Sequence, residues 1–154
     1  MNQEDTAKWL ANHLRTYRET DGAEGHIVDL SGWGGKASTT TLLLRTIGRK
    51  SGNVLINPLI YLGVADEYVI VASKGGAPDH PAWYLNLTAD PKVRFQVGRD
   101  HFEGSWRIIQ GQERSRVWDA LVEHFAPYAG YQQATDREIP LVALKPTGAI
   151  PALD

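Results

Sequence analysis

Trp9, Leu10, His13, Leu14 and Tyr17 recur at helical spacing until Gly22 and Gly25 break the pattern, which predicts an amphipathic helix over residues 4–19. From Thr39 the period changes. Thr39–Ile47 is β-branched and apolar, Val54–Leu62 resumes the same style, and the Gly-bounded turn between them makes the pair a hairpin. Further strands are predicted at Asp66–Ala72, Val93–Val97, His101–Ile109 and Leu141–Lys145, with Pro140 at the tolerated start of the last. Two helices interrupt them. Pro81 starts one that carries Trp83, Leu85 and Leu87 and that Pro91 helps to end; the other runs from Gln112 to Phe125 with Trp118, Leu121 and Val122 as its stripe. Strands without regular strand–helix alternation point to a mainly β (α+β) barrel, with an N-terminal helix and two or three helices around it, and not to a Rossmann sheet.

A chain of 154 residues with 42% hydrophobic and 22% charged residues is expected to form one domain, residues 1–30 supplying the helix and a connector and residues 31–154 the barrel. The absence of cysteine excludes disulfides, thiol nucleophiles and cysteine-ligated clusters. The polar, acidic start and the lack of a long apolar run suggest a cytoplasmic protein. The helical stripe is expected to pack on the domain. A lid or peripheral membrane contact is the alternative, disfavoured by a polar face that is not basic.

Charge is unevenly placed. No acid stands between Leu30 and Ala65, where Lys36, Arg45, Arg49 and Lys50 make the window +4 and leave −6 for the rest of a chain of net charge −2. That window is suited to a small anion, whereas a nucleic-acid binder would carry a basic excess across a whole face.

Gly32-Trp33-Gly34-Gly35-Lys36-Ala37 has the spacing of a dinucleotide fingerprint and a surface likeness to a Walker loop, but no helix follows it. Ala37 and Leu30 also stand where the Walker pattern needs a hydroxyl residue and a glycine, so the stretch reads as a flexible connector. Gly48-Arg49-Lys50-Ser51-Gly52 has more physical content: glycines that permit positive φ, free backbone N–H groups, a hydroxyl and two cations, all suited to an anion. Alone, it reads first as a hairpin tip solvated by its basic residues. The run from Ala72 to Leu87 joins a strand end, a Lys-Gly-Gly loop and a proline-started helix, and Trp83 offers a wall for a planar ring or a core side chain. In the segment from Phe125 to Pro140, Tyr128 and Tyr131 are spaced to face one way beside an apolar pocket, although packing alone would also explain them.

Together these three segments resemble the deazaflavin-dependent nitroreductase family, a branch of the split β-barrel flavin and deazaflavin oxidoreductases, over nearly the whole chain. The most specific parts are Gly48–Gly52, the run from Ala72 to Leu87, and Tyr131-Gln132 with Thr135-Asp136-Arg137-Glu138-Ile139-Pro140. The resemblance implies a split β-barrel and a cofactor, the deazaflavin coenzyme F-420, whose tail carries a phosphodiester and glutamates. By similarity Arg49, Lys50, Ser51 and Gly52 bind that tail, while Ala72, Ser73, Lys74, Gly75, Trp83 and Tyr84 lie along the ring and its linker. Tyr128 and Tyr131 map onto tyrosines of the substrate pocket. The implied activity is hydride transfer to a quinone, enone or nitroaromatic, with Ser73, Tyr128 and Tyr131 as the catalytic hydroxyls that stabilise developing negative charge. No metal is expected, since His13, His26, His80, His101 and His124 show no ligand spacing.

The chain departs from the family pattern in two places. Phe125 stands where some members have a third tyrosine, which removes one hydroxyl and bears on bulky nitroimidazole substrates. Leu55 and Ile56 replace arginines of many members, which implies weaker tail binding. Three other readings compete: a split-barrel reductase using FMN, a carrier that sequesters the deazaflavin or a lipid-like quinone, and a small nucleic-acid-binding barrel. A monomer is expected.

Overall fold

The computed structural model describes residues 2–154. Helix α1 (Gln3–Glu19) begins where Asn2 accepts the Asp5 N–H at 2.8 Å, and Glu4 and Asp5 meet the positive end of the helix dipole in its first turn. A two-residue strand β1 (Ile27–Val28) then pairs with the start of β2 (Thr39–Ile47). The rest is β3 (Val54–Val64), β4 (Glu67–Val71), α2 (Ala82–Thr88), β5 (Lys92–Val97), β6 (Asp100–Ile108), α3 (Gly111–His124), α4 (Pro127–Gln133) and β7 (Leu141–Ala149).

Six strands close into an antiparallel barrel in the order β2-β3-β4-β7-β6-β5, because β2 pairs with β3 on one side and β5 on the other. Their side chains alternate between two apolar compartments. Leu42, Leu44, Ile70, Phe95, Val142 and Leu144 fill the interior, which Trp83 and Leu87 of α2 join. Val69, Val71, Leu141 and Ala143 face the other way, toward Val117 and Leu121 of α3 and Tyr128 of α4. The strand positions that the sequence shows as unbroken apolar runs are thus those buried on both faces.

Two expectations are corrected. The last strand does not stop at Lys145. It continues past Pro146 to Ala149, because a register irregularity at Glu103/Gly104 sets Gly104 opposite Pro146 and absorbs the missing ladder donor. The supposed flexible connector is pinned: a short turn at Ser31–Trp33 closes with Leu30 N–H donating to Lys36 O at 3.0 Å, and the Trp33 ring packs edge-on against Trp9 with centroids 4.8 Å apart.

Helix α1 is latched by Tyr17. This side chain is fully buried against Leu43 and Leu153, its hydroxyl donates to Thr41 O at 3.0 Å, and it accepts the Gly98 N–H at 2.8 Å. Burial pushes the phenol up, so the proton stays in place for Thr41. Farther along the stripe His13 is buried, whereas Leu10 stays 43% exposed. Among the described residues no helix is long and apolar enough to cross a membrane. Tyr17→Phe keeps the ring but leaves two backbone groups without their partner. It is expected to lower the unfolding free energy by about 1–3 kcal/mol in chemical denaturation.

Candidate functional site

A cavity of about 340 Å³ opens beside the barrel, between α1, β3, the loop after β4, and α4. Trp9 and His13 of α1, with Trp33 from the pinned turn, form one wall. Pro58, Leu59 and Ile60 of β3 also line it, together with Ser73, Lys74, Gly75 and Trp83 and with Phe125, Tyr128 and Tyr131. The walls are largely apolar with a few convergent polar groups, and the volume lies within the usual range for small-molecule sites, about 300–1,000 Å³.

The loop after β4 is held from behind by Arg137. Its guanidinium donates to Ala77 O at 2.9 Å, Ser73 O at 2.9 Å and Ala72 O at 3.2 Å, and Nη1 also lies 2.9 Å from His80 Nδ1. An arginine is the one side chain with enough fixed donors to collect carbonyls from both ends of such a loop. The clamp holds Lys74 at φ 47°, in the left-handed region that costs a non-glycine residue strain. Gly76, at φ 84°, lies so close to α4 that a Cβ there would stand 2.7 Å from Tyr131 O. The loop and the tyrosine helix are therefore locked together.

The basic turn has its own internal order. Gly48 N–H donates to Asn53 O and Gly52 N–H to Gly48 O, both at 2.8 Å, while the backbone N–H groups of Lys50 and Ser51 donate to no described residue. Only Gly52 uses positive φ. At Gly48 a Cβ would stand 2.4 Å from Ser51 Oγ, so a side chain there would turn the Ser51 hydroxyl out of its present place. Asn86, buried on α2, accepts the Arg49 backbone N–H at 3.1 Å and its Nη1 at 2.9 Å. Trp83 lies three positions earlier on the same helix, so the turn and the cavity are attached to one short helical face.

Of the residues singled out from sequence, Ser73, Lys74, Gly75, Trp83, Tyr128 and Tyr131 line the cavity together. Arg49, Lys50, Ser51 and Gly52 lie exposed at the hairpin tip, outside its wall, and Tyr84 stacks obliquely on His80 with centroids 4.8 Å apart. Ala72 lies behind this lining. It is fully buried, its N–H donates to Pro140 O and its carbonyl accepts from Arg137, so it supports the loop. The hydroxyls of Ser73, Tyr128 and Tyr131 donate to no other described residue. Tyr128 is only 4% exposed, and burial pushes both phenols up, so each remains a proton-bearing donor. Phe125 completes the aromatic group, its ring 5.0 Å from Tyr128 and 6.5 Å from Tyr131. Leu55 is 41% exposed beside the basic turn, whereas Ile56 packs toward Leu43.

Sequence reasoning assigned no role to Arg137 or Asn86, although both lie inside its most specific segments. A buried asparagine on an apolar helix and an arginine just before a core strand were the available signals. Trp9, His13 and Trp33 carried none, because the stripe and the connector gain their role only by meeting across the cavity.

A sequence model of the family described as F420H(2)-dependent quinone reductase matches residues 9–146. An F420H(2)-dependent quinone reductase of Mycobacterium tuberculosis is 35% identical over 152 residues, covering 91% of this chain and 97% of the relative. Among solved structures, an F420-H2 dependent reductase (FDR-A) matches with a TM-score of 0.62 and 40% identity over 68% of this chain and 93% of its own. A second, described as a domain-swapped dimer, gives a TM-score of 0.65 and 34% identity over 91% and 99%. The barrel, the segments that build the cavity and these likenesses agree: the chain belongs to the F420H(2)-dependent quinone reductase family.

Proposed function

We propose that this chain passes a hydride from reduced coenzyme F-420 to a quinone held in the cavity beside Ser73, Tyr128 and Tyr131. The observation that carries this reading is the joining, through Asn86 and Trp83 of α2, of an anion-suited turn to an aromatic cavity. The residues fit such a coenzyme. Arg49, Lys50 and the free N–H groups of the turn would hold the phosphate-bearing tail, Lys74 and Gly75 would line its linker, and Trp83 would flank the ring. The family's dependence on F420H(2) supports this coenzyme over FMN.

When bound, reduced F-420 supplies a hydride from its central ring carbon, and the acceptor takes one further proton from water or a protein hydroxyl to become the hydroquinone. Negative charge grows on the quinone oxygen as the hydride arrives. Hydroxyls of Ser73, Tyr128 and Tyr131, with no other partner among the described residues, are placed to donate to that oxygen, and the apolar walls strengthen such contacts by excluding water. Phe125 adds area without a hydroxyl, which favours flat quinones over acceptors that need a third donor. Arg137 serves as a positioning residue, holding the Ser73 carbonyl and so the direction of its side chain. A relative of known structure is described as a domain-swapped dimer.

Tryptophan fluorescence titrations should show binding of F-420 in preference to FMN, with the reverse preference sinking this reading. Arg49→Ala combined with Lys50→Ala should weaken coenzyme binding at least about tenfold at low salt, and by less as salt rises. Ser73→Ala or Tyr128→Phe should lower kcat/KM for menadione by roughly 10- to 100-fold while coenzyme affinity stays nearly unchanged. Arg137→Lys keeps charge but loses the fork; coenzyme affinity should fall about fivefold and recover in part with millimolar guanidinium ion.

The clamp also has a pH sense. His80 must be neutral to accept from Arg137, and burial and that guanidinium hold its pKa below the ordinary histidine range. The contact is therefore intact at neutral pH and is lost as pH falls through that lowered value. Coenzyme affinity should be flat above about pH 6.5 and decline below it, and His80→Asn should abolish the decline.

A further inference from the structure

A second cavity, smaller and more polar, stands apart from the one described. It holds about 210 Å³ where the end of β2 and the start of β5 part around α2, and Arg45, Thr46, Asn86, Lys92 and Arg94 line it. Arg45 and Arg94 are direct register partners across the β2–β5 pairing, an arrangement in which like charges repel. Among the described residues no carboxylate forms an ion pair with Arg45, Lys92 or Arg94. Asp90, the one acid on the wall, turns Oδ1 to the Lys92 backbone N–H at 2.9 Å. Three cations thus share the wall with one carboxylate.

The neutral groups point to the same chemistry. Arg45 Nε and Thr46 Oγ1 are buried with no hydrogen-bond partner, and Thr46 is only 5% exposed. Asn86 is 4% exposed and spends its amide oxygen on Arg49, leaving its amide nitrogen to donate to no described residue. Native proteins seldom leave such groups unpaired, and a cavity lined by unpaired donors and excess cations is complementary to an oxyanion. Its volume of about 210 Å³ accommodates a carboxylate or phosphate group.

We propose that this cavity is a second anion subsite, separate from the basic turn and coupled to it through Asn86, which takes one carboxylate- or phosphate-type group. Two sources share that chemistry: a glutamate of the coenzyme tail, or a free small anion. The first source rests on the reading of Gly48–Gly52 as the tail-binding turn, and the second does not.

The full chain and its Arg45→Gln/Arg94→Gln variant are titrated with three probes: F-420 bearing several glutamates, the same coenzyme trimmed after the phosphodiester, and inorganic phosphate. Loss of about tenfold in affinity for the first probe alone assigns the subsite to the tail. Unchanged affinity for both coenzyme forms, with a phosphate-dependent rise in Tm present in the wild type and lost in the variant, assigns it to a free anion. Indifference of all three probes to the substitutions overturns the subsite. The Arg49→Ala/Lys50→Ala variant is run in parallel; wild-type binding there would refute the tail-binding turn while leaving the phosphate arm intact. Should the double variant not fold, the Arg45 Nε–H resonance of the wild-type protein, assigned with Arg45→Lys, must shift on phosphate or coenzyme addition. Its indifference to both would equally overturn the proposal.

Discussion

β2 is hydrogen-bonded along both edges, to β3 from Thr41 to Ile47 and to β5 from Leu42 to Arg45, and that double pairing closes the barrel. The consequences spread along the strand. Leu42 and Leu44 must fill the interior while Leu43 is covered from outside by Tyr17, so three consecutive leucines are all buried. The same pairing aims the β2–β3 turn toward α2, where Asn86 receives Arg49. It also sets Arg45 directly opposite Arg94. One strand thereby organises the core, the basic turn and the polar cavity.

The loop after β4 and helix α4 bring a strained residue and uncommitted hydroxyls to the wall of the first cavity. Lys74 is held in a left-handed conformation, Ser73 and the tyrosines keep their hydroxyls free, and the loop that carries them hangs on the Arg137 guanidinium. Other charged side chains of the barrel pair with one another. Arg107, for example, is held by Glu67 and Glu113 at 2.7 Å on the surface of the barrel, far from these groups in role. A clamp that spends several donors on backbone carbonyls makes sense where a loop must stay in a conformation its own residues disfavour.

The strands and long helices were legible because their residues alternate or recur at fixed periods. The hairpin of β2 and β3, α1 and α3 fall close to where periodicity puts them. The end of β7 was not legible, because Pro146 locally signals a stop and only its partner Gly104 across the sheet makes continuation acceptable. Nor was the order of the Gly32–Ala37 stretch, whose glycines suggest freedom that Trp33 loses by packing on Trp9. In the candidate site, the chemistry of Gly48–Gly52 and the aromatic content of the later segments could be read directly. The burial of Ala72 could not be read, since being next to Ser73 in sequence says nothing of which side faces the core.

By itself the sequence determined the elements, the barrel class and the anion-suited character of the basic turn, since periodicity, glycine placement and local charge are properties of neighbouring residues. Only the tertiary structure decided which groups meet. Arg137 reaches acceptors 57 to 65 positions away, and Asn86 reaches Arg49 across 37. Such contacts are selected by barrel closure and by the burial of helices on both of its surfaces, and no local pattern of residues encodes them.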